Sequence, residues 1–397
     1  MIVREKEPVN LEMPFGSLDS FLTPVARFYV RCHHPIPKID LGTWRLKIEG
    51  DVEEPFDLTL EELRAMEKRT ITTTMECAGN GRSFLTPQRD GAQWEGGAVG
   101  TAEWTGVPLS ALLQRAGVRN SVREVILEGA DEGEIKEPPR PAGKIHYSRS
   151  LPLSKAKSDV LLAFQMNGED LTAEHGFPLR AVVPGWYGMA AVKWLTRIVA
   201  RTEPYHGYYQ TIDYAYWERG SSAPTLLPIT EMRVKAQIAR PEFAEAVRAS
   251  QPYRVHGAAW TTGAEITRVE ISTDGGTVWN EARLLGDSLR NADNADHKLP
   301  ALTIGATSEP LAGSDTAFRG EVGIIVESEA HDTTAAAHGE RVEAVRVALA
   351  NRAQVIAAIN ATARLHIYGY APLGTEPTAG DARFATKLRY RFGFGPV

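Results

Sequence analysis

At 397 residues the chain is too long for one ordinary core and is read as two or three domains. Its 43% hydrophobic and 24% charged residues are those of a globular protein, and a formal charge of -6 argues against a nucleic-acid role, so an anion pocket has to be assembled from local arginines. With Cys32 and Cys77 as its two cysteines, the chain has no disulfide framework and no C-x-x-C metal or haem motif.

The first thirty residues carry no apolar signal-peptide core and no twin arginine, and nowhere do eighteen apolar residues run together. The expectation is a cytoplasmic protein with no membrane association, or a periplasmic one if a leader has been lost. The segment A-R-F-Y-V-R-C-H-H-P-I-P-K-I-D, ending at Asp40, predicts a short apolar strand into Arg31, then Cys32, His33, His34 and a proline turn. Read alone, it is a solvated loop. From Trp44 to Leu58 apolar and polar residues alternate, and T-L-E-E-L-R-A-M predicts a short helix with Thr59 as N-cap and Glu62 three residues on, a capping box.

Next comes T-T-T-M-E-C-A-G-N-G-R, from Thr72 to Arg82. A β-branched run breaks into a Gly-Asn-Gly loop directly after Cys77, so a strand delivers that thiol to its tip. A lone cysteine is by default a buried thiol. Then W-T-G-V-P-L-S-A-L-L-Q-R-A-G-V predicts a helix ended by Gly117, and V-R-E-V-I-L-E-G-A-D a strand ending at Asp131, which reads equally as a turn residue. In E-H-G-F-P-L-R-A-V-V-P-G-W-Y-G-M-A-A-V-K-W-L, His175 and Arg180 bracket a proline turn, A-V-V is a buried strand and Lys193 follows a Gly-rich loop. Tyr214 stands in Y-Y-Q-T-I-D-Y-A-Y-W, where a core aromatic is the plain reading.

Near Ser221 the stretch S-S-A-P-T-L-L-P reads as a linker. M-R-V-K-A-Q-I, Y-R-V-H-G-A-A-W and T-R-V-E-I-S-T-D-G-G-T-V-W follow as strands with a D-G-G hairpin turn, the pattern of an immunoglobulin-like sandwich. After about Asp287 the pattern changes to an Ala-rich amphipathic helix, roughly Gly339 to Ala361, with strand-like segments at His366–Tyr370 and Lys387–Phe394.

E-C-A-G-N followed by a basic residue resembles the molybdenum-ligand motif of the sulfite oxidase family, R-C-H-H-P-I-P resembles its R-N-H-x-P-x-P element, and H-G-F-P-L-R with V-K-W-L resembles its cofactor clamp. The resemblance covers roughly the first 287 residues. It implies an α+β fold, with a mixed α/β catalytic domain over 1–222, a partial immunoglobulin-like dimerisation domain over 223–287, and an atypical small α/β segment over 288–397. That last segment weakly resembles phage tail-assembly proteins. The resemblance further implies a molybdenum-molybdopterin cofactor with Cys77 as metal ligand. His33, Asp131, His175, Arg180 and Lys193 then hold the pterin and its phosphate, and Arg31, Arg82 and Tyr214 face the substrate.

The implied reaction is oxygen-atom transfer, the oxidation of sulfite to sulfate, with electrons passed to a separate acceptor such as a cytochrome c, in a homodimer. Two departures stand out. Cys32 replaces the family's asparagine, and T-T-G-A-E places Glu265 where sulfite-oxidising relatives carry an arginine, with Arg268 three residues on. Reduction of a sulfoxide or other oxo substrate is therefore the alternative activity, and an inactive, assembly-related chimera the alternative of another class.

Overall fold

The computed structural model describes residues 1–219, 224–242, 245–247, 253–262, 265–272 and 278–285, and the backbone of four further strands, Thr303–Thr307, Gly320–Glu329, Thr375–Thr378 and Ala385–Phe394. The chain divides into two units. One comprises Met1–Glu12, Leu22–Ala78 and Ala98–Met232, the other Met13–Phe21, Gly79–Gly97 and Arg233–Val397. The boundary expected at 222 thus falls ten residues later, and two short segments of the expected catalytic domain, one of them carrying Arg82, belong to the second unit.

In the first unit, the β-branched strand Arg69–Glu76 pairs antiparallel with Val99–Pro108 along its whole length, from Arg69 opposite Gly106 to Glu76 opposite Val99. Leu161–Met166 continues this sheet and carries Glu169–Asp170 and Arg180–Val182. A second sheet runs Phe56–Leu58, Leu46–Gly50, Leu195–Arg201, Glu124–Glu134, Lys144–Pro152, with one parallel pair, between Leu195–Arg201 and Leu46–Gly50. Leu46, Ile48, Leu127, Leu195 and Ile198 of the second sheet share one core with Val107 and Leu162 of the first.

The helices are short. Leu60–Ala65 has the predicted capping box, the Thr59 hydroxyl accepting from the Glu62 N–H while the Glu62 carboxylate accepts from the Thr59 N–H. Leu109–Arg115 buries Leu109, Leu112 and Leu113 at the i, i+3, i+4 spacing of one face, and ends at Gly117, whose φ of +63° suits a residue without a Cβ. This helix is shorter than predicted. Trp104–Pro108 belong to the strand, because the helix begins only after Pro108.

Three other expectations change. The strand predicted ahead of Arg31 is a 3-10 turn, Val25–Arg27, followed by a single bridge from Val30 to Leu11; Phe28 and Tyr29 are both buried, so the alternation a strand needs is missing. In the expected linker, Pro224–Pro228 form a strand paired with Ala215–Arg219, the two prolines sitting at the ends of the ladder. The strand predicted to stop at Asp131 runs on to Glu134 through a register shift between Glu128 and Glu132.

The second unit is antiparallel. One sheet runs Lys235–Arg240, Val255–Trp260, Thr303–Thr307, Arg283–Leu285. The other runs Asn280–Glu281, Glu265–Ser272, Gly320–Glu329, Ala385–Phe394, Thr375–Thr378. Val255 and Ala259 of one sheet cluster with Ile266, Val269 and Ile271 of the other. Strands beyond residue 288 therefore pair with those before it: Thr303–Thr307 lies against Val255–Trp260, and Gly320–Glu329 against Glu265–Ser272. This differs from the separate α/β segment expected over 288–397. The predicted helix from 339 to 361, the segment 366–370 and the D-G-G turn lie outside the described residues.

Candidate functional site

An open cleft of about 600 Å³, solvent space at its mouth included, lies within the first unit. It is lined by Arg31, His33, Cys77, Asp131, His175, Arg180, Lys193 and Tyr214, eight of the nine residues predicted for the site, together with Cys32, Tyr29, Tyr147 and Glu174 among others. They come from seven separate stretches of chain.

Cys77 directly follows the strand Arg69–Glu76. Its N–H donates to the Ala98 carbonyl at 2.9 Å, prolonging the ladder by one rung, and its side chain reaches the cleft while only 6% exposed. Neither Cys77 nor Cys32 is disulfide-bonded. The register shift in Glu124–Glu134 sends Asp131 inward, 3% exposed, with its Oδ1 buried and lacking a hydrogen-bond partner. Burial raises its pKa to about 6 against the opposing pull of Lys193.

His175 and Arg180 flank the turn at Gly176, where φ is +102° and a Cβ would stand 3.0 Å from that of Lys193 and 3.1 Å from that of Arg180. The glycine lets three cleft residues crowd together. His175 Nε2 donates to the Val25 carbonyl at 3.2 Å, and burial together with Arg180 and Lys193 lowers its pKa to about 4, so it is neutral at pH 7. Arg180 is buried and lies 4.9 Å from the Trp104 ring. Its Nη1 donates to the His175 carbonyl at 3.1 Å, and its Nη2 to the Ala191 carbonyl at 3.2 Å and to Met75 Sδ at 3.4 Å. The guanidinium fork expected to grip a phosphate is thus engaged by the protein, and burial lowers its pKa to about 10.

Lys193 precedes Trp194, which holds φ at +50°, a costly backbone for an aromatic residue and one that tends to persist at functional sites. The strain is held by the Trp194 indole, which donates to the Ala173 carbonyl at 2.8 Å, and by the Lys193 ammonium 4.3 Å from the indole ring. Lys193 Nζ also donates to the Glu174 carbonyl at 2.8 Å and to Cys32 Sγ at 3.2 Å. The sulfur that stands in place of an asparagine therefore accepts a hydrogen bond from a cleft cation.

In the same cleft, His33 Nε2 and the Tyr214 hydroxyl are 2.6 Å apart. His33 stacks on Tyr147 at 4.3 Å between ring centroids, and the Tyr147 hydroxyl donates to the Met189 carbonyl at 2.8 Å. Burial, then Arg31, His34 and Lys193, lower the His33 pKa well below its ordinary value, so the ring is neutral. Burial alone would weaken the charge of Arg31. The Tyr214 oxygen, Cys77 and Glu5 more than offset it and hold its pKa above the ordinary arginine value.

Arg82 is not among the lining residues. It lies in the second unit, where its Nη1 donates to the Ala92 carbonyl at 3.1 Å. Arg268, also of that unit, pairs with Glu270 at 2.9 Å. Tyr147 was missed from sequence: it sits in H-Y-S-R-S-L, an ordinary strand with no motif around it. Among the described residues, no three His, Cys, Asp or Glu side chains come together as a bare metal site. The arrangement instead offers two thiols, of which that of Cys32 is engaged by Lys193, together with cations, neutral imidazoles and tyrosine hydroxyls. That set suits an anion reacting beside a soft metal centre.

Comparison with known proteins agrees. Residues 33–209 match the family described as "Oxidoreductase molybdopterin binding domain", and residues 227–304 match "Mo-co oxidoreductase dimerisation domain", the latter running past the point where the sequence resemblance ends. The mitochondrial sulfite oxidase of Drosophila melanogaster is 37% identical over 295 residues, covering 70% of this chain and 50% of that protein. The human mitochondrial sulfite oxidase is 36% identical over 306 residues, covering 72% and 54%. The chain thus spans about half the length of these relatives. The crystal structure of the sulfane dehydrogenase SoxCD from Paracoccus pantotrophus superposes with a TM-score of 0.67 at 30% identity, covering 82% of this chain and 77% of that one.

Proposed function

This chain belongs to the sulfite oxidase family of molybdopterin-dependent oxidoreductases, and from that premise we propose that it oxidises sulfite to sulfate and passes the electrons to a separate acceptor, a c-type cytochrome. The observation that carries this reading is the convergence of Cys77, Arg31 and the Tyr214–His33 pair on one cleft.

The residues present fit the cofactor. Cys77 would bond the metal through its thiolate. The buried, partnerless Oδ1 of Asp131 would accept from an N–H of the pterin, and Lys193 and neutral His175 stand ready to hydrogen-bond the rest. Arg180, with its donors engaged by carbonyls, would act as a buried positive charge behind the phosphate rather than as a fork upon it. When bound, the cofactor supplies the oxygen-atom transfer and the two-electron store. Arg31 would attract and hold the sulfite anion in the cleft through its charge. The Tyr214 hydroxyl, fixed by His33, would orient the substrate oxygen.

The antiparallel sheets of the second unit, sharing one apolar cluster, support reading it as an immunoglobulin-like sandwich. The match to a dimerisation domain supports a homodimer.

The test is elemental analysis of protein made in a host that synthesises molybdopterin. The expected result is about one molybdenum per chain, lost together with sulfite turnover in Cys77→Ser, because a hydroxyl is a harder and less acidic donor than a thiol. Arg31→Gln is expected to raise the sulfite KM about thirtyfold, as for the loss of about 2 kcal/mol of charged hydrogen bonding, while Arg140→Gln at an exposed site leaves it unchanged. Protein without molybdenum, or molybdenum-loaded protein inert toward sulfite, sinks the reading.

A further inference from the structure

The strands Ile2–Glu5 and Asn10–Glu12 form a hairpin ahead of the residues matched to the molybdopterin-binding family. It is tied to the segment carrying Arg31. Leu11 and Val30 exchange both backbone hydrogen bonds, each at 2.9 Å. Asn10 at the turn-side end is wholly buried, although asparagine is a residue that ordinarily faces water.

Its amide is used at both ends. Oδ1 accepts the Cys32 N–H at 2.7 Å and stands 3.5 Å from Arg31 Nη1. Nδ2 donates to the Glu5 carboxylate and, at 3.4 Å, to the Pro8 carbonyl. The same Arg31 Nη1 donates to the Cys32 carbonyl. The guanidinium is therefore held at one nitrogen by the amide of Asn10 and the backbone beside it, while the side chain lines the cleft. The acceptor of the Cys32 N–H fixes which way the asparagine faces, since a backbone N–H requires an oxygen there.

We propose that this hairpin is part of the anion site, with Asn10 as the positioning residue that aims Arg31 at a tetrahedral or pyramidal oxoanion. The inference rests on the reading of Arg31 as the anion's cation. Removing the amide leaves a buried N–H without its acceptor and frees the guanidinium to sample other rotamers, so affinity for the anion falls while the chemistry beyond it is untouched.

The experiment uses the molybdenum-loaded full chain and measures sulfate binding by calorimetry beside the KM and kcat for sulfite. Asn10→Ala is expected to raise the sulfate Kd and the sulfite KM together by about tenfold, with kcat within about twofold and molybdenum content unchanged. Arg4→Ala removes the Arg4–Glu12 ion pair from the same hairpin without touching Arg31, and is expected to leave the sulfate Kd within about twofold of the parent. Asn10→Ser, too short to span Cys32 and Arg31 at once, takes the place of the alanine variant if that protein does not fold, and the same rise is expected of it. An Asn10 variant that binds sulfate as the parent does, an Arg4→Ala variant that weakens binding equally, or a parent that binds no sulfate each overturn the proposal. A parent that binds sulfate but does not oxidise sulfite refutes the sulfite reading alone, and the Asn10 comparison still decides this one.

Discussion

Tyr214 and His33 form a pair in which either ring can supply the proton, and the burial that keeps His33 neutral leaves it able to accept from the phenol. The phenol oxygen is thereby fixed in a cleft that also holds Arg31 and Cys77. Tyr214→Phe keeps the ring and deletes the oxygen. We expect kcat for sulfite to fall about thirtyfold, the cost of about 2 kcal/mol of transition-state contact, with molybdenum content unchanged; steady-state kinetics on metal-matched samples checks it, and an unaltered kcat removes Tyr214 from the chemistry. At this scale the sequence was informative where a residue sits in a compact motif, as Arg31, His33, Cys77, His175 and Arg180 do. It was silent on Asn10 and Tyr147, whose roles depend on partners tens of residues away, the Cys32 amide and the Met189 carbonyl.

Elements were legible where their signal is local. The capping box of Leu60–Ala65 joins residues three apart, and each half of it forms as expected. Thr59→Ala removes the acceptor for the Glu62 N–H and should cost about 1 kcal/mol of stability, seen as a lower urea midpoint with an unchanged m-value; a midpoint equal to the parent's shows that the cap is idle. The register shift before Glu132 could not be foreseen in this way. V-R-E-V-I-L-E-G-A-D carries a uniform strand pattern, and the shift is decided by pairing with Lys144–Pro152, where Glu128 faces Ser148 while Glu132 faces His146. That displacement, four residues on one strand against two on the other, is what turns Asp131 into the cleft. The helix boundary at Pro108 shows the same competition, since Val99–Pro108 gains partners on both sides as a strand and the apolar face begins only at Leu109.

For the whole chain, the site and the stability of the second unit are separable questions. Among the described residues, every one that lines the cleft comes from the first unit. The second unit depends on residues far down the chain. Glu265–Ser272 has Gly320–Glu329 along one edge, and Val255–Trp260 has Thr303–Thr307. From sequence the region after Asp287 reads as a separate fold, because its composition shifts and no family motif continues; strand pairing is set by complementarity of edges and leaves little trace in local composition. Ending the chain after Asp287 would expose two strand edges and the apolar faces behind them, which invites edge-to-edge association. We therefore expect the truncated protein to aggregate or to sediment as heterogeneous oligomers where the full chain gives a discrete species, and to melt at a lower temperature. Sedimentation velocity on both proteins at matched concentration, with a thermal melt of each, decides the matter. A truncated chain that stays discrete and keeps the parent's melting temperature would mean that residues beyond 287 are dispensable for the second unit, and that its strands Lys235–Arg240 to Arg283–Leu285 close a stable core among themselves.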